Sequence, residues 1–113
     1  MANVQDVTDS NFEAEVLKSS LPVLVDFWAP WCAPCRMLAP VVGQLATENA
    51  GTIKVAKMNI DESPNIASSL GISAIPTVMV FKDGQVVDRF IGVQPKHRLQ
   101  SSLDQAKGDV PKA

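Results

Sequence analysis

The most informative part of the sequence is the run Val23-Leu-Val-Asp-Phe-Trp28, together with the motif Cys32-Ala-Pro-Cys35 that follows it. The run is almost continuously apolar, is rich in strand formers and is too short for a core helix. It therefore predicts a strand buried on both faces, as in parallel sheets. Beyond it, apolar residues recur at helical spacing, on a stripe of Cys35, Leu38, Ala39, Val42, Leu45 and Ala46. The two cysteines thus lie where a buried strand gives way to a helix N-terminus.

Four further strands are predicted on either side of this junction. Asp83-Gly84 separates two strand-like runs and is a strong hairpin signal. Right-handed crossovers pair the earlier strands in parallel, and the hairpin adds an antiparallel edge. The result is a mixed sheet covered by helices, whose further strands are Val4–Val7, Ile53–Ile60, Thr77–Lys82 and Val86–Ile91.

Three other helices are predicted from the residues at their ends. Ser10-Asn-Phe-Glu13 has the form of a capping box and opens the first of them. Ser63-Pro64 has the form of an N-cap and first helical residue, and Gly71 ends that short helix. The last helix begins at Pro95, and residues 107–113 are expected to be a frayed tail.

Length, charge and hydropathy narrow the class of protein. The 113 residues predict a single domain, 1–113, and a net charge of −2 argues against nucleic-acid binding. No apolar run approaches the roughly 20 residues that span a bilayer. The N-terminal residues lack the basic and apolar parts of a secretory signal. We expect a cytoplasmic monomer; a mature organelle protein without its transit peptide would have the same sequence.

The number of cysteines excludes two common uses of this residue. Two cysteines are too few for a disulfide scaffold, and a four-ligand zinc site would need two more ligands. The one histidine, His97, is distant in sequence and is predicted to be exposed on the last helix. No metal site is therefore expected.

The position of the cysteines favours thiol–disulfide exchange. Free N–H groups and the helix dipole at a helix N-terminus stabilise a thiolate at Cys32. Cys35 lies one turn further along on the buried stripe, close enough for the two sulfurs to bond. An exposed Cys32 would attack a target disulfide, and a shielded Cys35 would resolve the mixed disulfide. The alternative is a pair of inert core cysteines.

These residues resemble the thioredoxin family. The resemblance covers about residues 4–106 and includes Val25-Asp-Phe-Trp-Ala-Pro-Trp-Cys-Ala-Pro-Cys35, Ile75-Pro-Thr77, Phe81-Lys-Asp-Gly84 and Gly92. It implies an α/β protein with the thioredoxin fold, a five-stranded mixed β-sheet flanked by four α-helices. It also implies a general protein-disulfide reductase that binds no cofactor and acts on disulfide-containing proteins. A thioredoxin reductase, a flavoprotein drawing on NADPH, would restore the dithiol.

Two residues depart from the family's commonest pattern. Ala33 and Ala74 stand where family members often carry glycine. A methyl group at Ala33 favours the start of the helix and adds bulk where a substrate backbone would dock. We expect these positions to influence redox potential and substrate range.

Asp26 and Lys57 are predicted to support the reaction. A carboxylate on a strand buried on both faces is desolvated, which raises its pKa. The resemblance implies that Asp26 manages the proton of Cys35 through water, and that Lys57 lies near this carboxylate. The alternatives are an Asp26 solvated at a strand end and a Lys57 that extends to solvent.

The remaining site residues follow from the resemblance. It implies that the bond before Pro76 is cis and that Pro76 packs against the cysteines and blocks metal capture. The Ile75 backbone is then free to pair with an extended substrate. The apolar docking surface would comprise Trp31, Ile75, Gly92 and Val93. Three residues would be structural: Trp28 in the core, Pro34 in the first helical turn, and Pro40 at a helix kink.

Three other functions share parts of this pattern. Disulfide oxidases and isomerases typically have a histidine between the cysteines, whereas this chain has Ala33-Pro34. Glutaredoxins usually have Pro-Tyr there, and this chain contains no tyrosine. A non-enzymatic binding role remains open as a second activity.

Overall fold

The apolar run Val23–Trp28 forms β2, the central strand of a five-stranded sheet in the computed structural model, which describes residues 3–108. The other strands are β1 (Val4–Asp6), β3 (Lys54–Asn59), β4 (Thr77–Lys82) and β5 (Gln85–Ile91). The helices are α1 (Glu13–Leu17, with π-type hydrogen bonds), α2 (Ala33–Glu48), α3 (Pro64–Ser69) and α4 (Lys96–Gly108). The predicted mixed sheet with four helices is confirmed within these residues.

The sheet has the strand order β1-β3-β2-β4-β5. Strands β1, β3 and β2 are parallel, while β4 runs antiparallel to both β2 and β5. The β4–β5 connection turns at Asp83 and Gly84, whose φ angles of 53° and 81° are both in the left-handed region. This is the backbone that a tight hairpin requires, so the predicted turn is confirmed.

The core forms one layer on each face of the sheet. Leu24 of β2 packs with Leu38 and Leu45 of α2 and with Leu99 of α4. On the opposite face, Val23, Val25 and Phe27 of β2 pack with residues of the α1 and α3 segments. Alternate residues of β2 therefore enter different layers, and this explains why its sequence is apolar without interruption.

The capping box predicted at the first helix is wrong. Helix α1 begins after Phe12 without a side-chain cap, and the Ser10 hydroxyl lies 3.0 Å from the Thr8 hydroxyl. The Asn11 side chain accepts a hydrogen bond from the Thr8 N–H at 2.7 Å. This local side-chain-to-backbone bond closes a turn ahead of the helix and takes the place of a cap.

The cap of α3 comes from a distant part of the chain. Ser63 precedes the helix as predicted, but it makes no capping bond, and its hydroxyl accepts from the Asp9 N–H at 3.2 Å. The Asp9 carboxylate accepts from the backbone N–H groups of Asn65 and Ile66, at 3.1 and 2.9 Å. A carboxylate at a helix N-terminus satisfies free donors and interacts favourably with the dipole.

The final helix continues through Lys107 to Gly108. Residues 109–113, the rest of the expected tail, lie outside the described residues. Within residues 3–108, no helix combines the length and the apolar character needed to cross a membrane.

Replacing Asp9 by alanine removes both bonds that cap α3. We expect Asp9→Ala to lower the free energy of unfolding by about 0.5–2 kcal/mol, the usual value of an N-cap. Urea denaturation measures this change. Asp9→Asn, which keeps one of the two acceptor oxygens, is the matched control and should lose less stability than Asp9→Ala. Equal losses in both variants would contradict the capping role.

Candidate active site

The two cysteines meet at the N-terminus of α2. Cys32 is the N-cap residue, and its Sγ accepts a hydrogen bond from the Cys35 backbone N–H at 3.2 Å. This is the position in which a serine or aspartate oxygen usually accepts the same bond. When the pair is reduced, the N–H and the positive end of the helix stabilise a thiolate at Cys32.

Cys32 and Cys35 form a disulfide, with their Cα atoms 5.3 Å apart. Their residues are 4% and 3% exposed, respectively. The expectation of an exposed Cys32 is therefore wrong for the disulfide form. Trp28 and Ile75 pack against the pair.

The segment before β4 lies directly against Cys32. The Ile75–Pro76 peptide bond is cis, as the resemblance implied. The Ile75 carbonyl oxygen lies 3.8 Å from Cys32 Sγ, and the Pro76 carbonyl accepts from the Gly92 N–H at 2.8 Å. The fold thus brings together predicted site residues from three segments that are far apart in sequence, at Cys32, Ile75-Pro76 and Gly92.

Apolar side chains remain exposed around this segment. Trp31 is 67% exposed, and its indole N–H donates to the Asp61 carboxylate at 3.0 Å. Val93, which follows Gly92, is also exposed. Ile91, the register partner of Thr77, is exposed as well, and elsewhere on α2 so is Met37; the sequence prediction included neither residue. The exposure of Met37 could have been predicted, because this residue does not belong to the apolar stripe of α2.

Asp26 is buried, as predicted, on the α2 side of β2. The residue is 4% exposed, and its Oδ1 has no hydrogen-bond partner among the described residues. Desolvation raises the pKa of this carboxyl to about 7, while the nearby positive charge of Lys57 acts in the opposite direction. Asp26 therefore changes charge near neutral pH.

Lys57 lies beside Asp26 on the neighbouring strand, where the two residues are register partners. Its side chain is 32% exposed, and its Nζ lies 5.5 Å from the centre of the Trp28 ring. The same Nζ is 3.8 Å from Oδ1 of Asp6 on β1. From the sequence, we expect Lys57 either to lie near Asp26 or to extend to solvent. It does both, since its charge acts on Asp26 while its side chain is partly exposed.

A cavity of about 120 Å³ joins the carboxylate to the second cysteine. This volume is large enough for water, which can carry protons between groups that do not touch. The cavity gives Asp26 a route to Cys35 that does not require direct contact. Its lining residues are Asp26, Trp28, Cys35, Arg36, Ala39 and Lys57.

The prolines and the histidine lie where the sequence placed them. Pro34 is in the first turn of α2, where its missing N–H has no intrahelical partner to lose. Pro40 is inside the helix, and the kink expected there stays a prediction. His97 is exposed on α4. Across residues 3–108, no three metal-binding side chains cluster closely enough to hold an ion.

Comparisons with known proteins agree with this geometry. The family model described as Thioredoxin matches residues 3–105. Thioredoxin 1 of Synechococcus elongatus is 58% identical over 98 residues, covering 87% of this chain and 92% of the relative. Thioredoxin 1 of a Nostoc species is 56% identical over 104 residues, covering 92% and 97%. Thioredoxin of Rickettsia felis is 58% identical over 99 residues, covering 88% and 92%.

A disulfide at a helix N-terminus, set against a cis-proline segment, is the arrangement of a dithiol–disulfide oxidoreductase. The chain belongs to the thioredoxin family. Its reaction is the reduction of protein disulfides, with the electrons carried by the Cys32–Cys35 pair.

The buried Asp26 makes stability depend on pH. Its pKa is about 7 in the folded state and near 3.8 without burial, so between these values the folded state binds more protons than the unfolded state. Stability therefore falls as pH rises from about 4 to about 7, by an amount of the order of 4 kcal/mol.

Asp26→Asn removes this titration. We expect the variant to be more stable than the parent at pH 8 and nearly equal to it at pH 4. Urea denaturation of both oxidised proteins at the two pH values measures the difference. A stability gain of the same size at both pH values would show that burial of the charge is not its cause.

Proposed function

We propose that this protein is a general cytoplasmic protein-disulfide reductase in which Cys32 attacks and Cys35 resolves. The observation that carries the proposal is the position of Cys32 Sγ, which accepts the Cys35 N–H in the first turn of α2 and faces the Ile75 carbonyl. The N–H contact favours a thiolate at Cys32, and the Ile75 contact places this sulfur beside backbone that an extended substrate can pair with.

The exchange has two balanced steps. The Cys32 thiolate attacks one sulfur of the target disulfide, a Cys32–target bond forms, and the other target sulfur leaves and takes up a proton. Cys35, as a thiolate, then attacks Cys32 Sγ. The Cys32–Cys35 disulfide forms, and the second target sulfur leaves as a thiol. The target gains the two electrons that the dithiol loses.

Asp26 is proposed to accept the proton of Cys35 through water in the shared cavity. A base whose pKa lies near the working pH is partly in its deprotonated form and still binds a proton strongly enough to take it from a thiol. The pKa of Asp26 is about 7. Lys57 is proposed to moderate this carboxylate by its charge. Both residues would act on Cys35, since they line the same cavity as its side chain.

The docking surface is proposed to comprise Trp31, Ile75, Gly92 and Val93, with Pro76 holding Ile75 in place. An extended target segment would pair with the Ile75 backbone and cover the exposed Trp31 and Val93 side chains. This surface is apolar and lies beside the sulfur, so binding would exclude water from the exchanging atoms. Pro76, which is buried, would also keep metal ions from the reduced pair.

The electron donor is proposed to be a thioredoxin reductase, a flavoprotein supplied by NADPH. The relatives named thioredoxin support this choice. The chain itself needs no bound cofactor, because its two sulfurs carry the electrons. A reducing cytoplasm would keep the pair as a dithiol. We propose that the protein acts there as a monomer, with one docking surface available to reductase and target in turn.

Cys35→Ser should trap the first intermediate. We expect this variant to accumulate a mixed disulfide with a disulfide-containing protein, because no second thiol releases Cys32. Non-reducing electrophoresis and peptide mapping identify the bond. The parent protein should turn over the same target with dithiothreitol, and also with NADPH and a flavoprotein reductase in its place.

Cys32→Ser is the matched control, since it keeps one thiol of the pair. It should trap little or no target. If it traps as much as Cys35→Ser, the attacking and resolving roles are wrongly assigned. Loss of turnover only in the assay with NADPH would reject the proposed donor and leave the exchange mechanism intact.

Asp26→Asn should slow the resolving step. The variant lacks a group that changes charge near neutral pH, so its rate of release from the mixed disulfide should be lower and less dependent on pH between 6 and 8. Stopped-flow measurement of target release across this range tests the proposal. A pH profile identical to that of the parent would reject Asp26 as the proton acceptor.

A further inference from the structure

Three charged residues form a row across the parallel part of the sheet. Lys57 of β3 is the register partner of Asp6 on β1 and also of Asp26 on β2. Register partners in adjacent parallel strands project to the same face, and neighbouring strands are about 4.8 Å apart. The Lys57 ammonium therefore lies between two carboxylates, one at the edge of the sheet and one in its centre.

The ammonium is associated with the outer carboxylate. Lys57 Nζ lies 3.8 Å from Asp6 Oδ1, and within residues 3–108 it makes no ion pair with Asp26. The Asp6 side chain is 79% exposed, whereas Asp26 is buried and its Oδ1 has no partner in the described chain. Moving Lys57 toward Asp26 would desolvate the ammonium but would supply the buried carboxylate with a counter-charge.

Apart from Lys57, the groups that face Asp26 are either uncharged or hydrogen-bonded elsewhere. The distance of the Lys57 charge from Asp26 is therefore the quantity that can change. From β4 the register partner is the uncharged Val78. From α2 the facing groups are Cys35 and Arg36, and the Arg36 guanidinium donates to the Pro30 carbonyl at 2.8 Å. That bond attaches the guanidinium to the loop before Cys32.

We propose that Asp6 is a positioning residue for disulfide exchange: its carboxylate holds the Lys57 ammonium toward the sheet edge and limits the positive charge that reaches Asp26. The proposal deepens the proposed function, because it rests on Asp26 as the proton acceptor for Cys35. It assigns a role in the reaction to a surface residue on an edge strand that touches neither sulfur.

The sign of the effect follows from the charges. A positive charge close to Asp26 favours its carboxylate form, so releasing Lys57 from Asp6 lowers the pKa of Asp26. The lost negative charge of Asp6 acts in the same direction. It lies two strand spacings from Asp26, about 10 Å away, where salt already screens much of its field.

The experiment is a carbon-13 NMR titration of the Asp26 carboxyl in the oxidised full-length protein. We expect Asp6→Asn to lower the pKa of Asp26 by about 0.2 to 0.7, the scale of an exposed ion pair. The pH dependence of target release from the mixed disulfide should move in the same direction and by the same amount. An unchanged titration would overturn the proposal.

Glu13→Gln is the matched control for loss of a surface charge. Glu13 is exposed and lies 3.6 Å from Lys18, so its removal also breaks a carboxylate–lysine pair. This variant should leave the titration of Asp26 unchanged. A shift as large as that of Asp6→Asn would indicate a general effect of net charge and overturn the proposal.

A double-mutant cycle with Lys57→Met tests whether Lys57 transmits the effect. In the Lys57→Met background, Asp6→Asn should produce almost no further shift, whereas an undiminished shift would overturn the positioning role. The NMR titration does not depend on turnover. If the titration moves and the pH profile of release does not, the Asp6–Lys57 coupling holds and Asp26 is rejected as the proton acceptor.

Discussion

The hydrogen bond from the Cys35 N–H to Cys32 Sγ is the contact on which the rest of the site depends. It exists because β2 ends, the chain turns through three residues, and α2 begins with Cys32 as its N-cap. The same helical turn brings Cys35 within bonding distance of Cys32. One local geometry therefore supplies both the thiolate that we propose for Cys32 and the partner that we propose resolves it.

Asp26 shows how the chain combines stability with reactivity. Its carboxylate lies in a strand that packs on both faces, where an apolar residue would cost less free energy at neutral pH. Burial keeps the group partly protonated near pH 7, the range in which a thiol must lose its proton to react. The residue that weakens the fold in this pH range thus has a pKa suited to the proton transfer that we propose for it.

The sequence was informative where the signal was local. The apolar run of β2 and the Asp83-Gly84 turn predicted the corresponding elements, because burial on both faces and positive φ angles each restrict residue choice strongly. The cis bond before Pro76 could be expected only from the resemblance. Contacts between distant segments were missed: the cap of α3 by Asp9 and the pairing of Lys57 with Asp6. The order of residues along one segment does not show which side chains of a distant segment will lie beside it.

The low exposure of Cys32 has a consequence for the proteins that this chain can reduce. Sulfur–sulfur exchange requires the attacking atom to approach along the axis of the target bond, and the Cys32 residue is only 4% exposed in the disulfide form, with Trp28 and Ile75 packed against the pair. The target must bring its own disulfide down to the surface. Disulfides in flexible or locally unfolded segments meet this requirement, whereas those fixed inside a rigid domain do not. The mechanical freedom of the partner thus becomes part of the selectivity of the reaction.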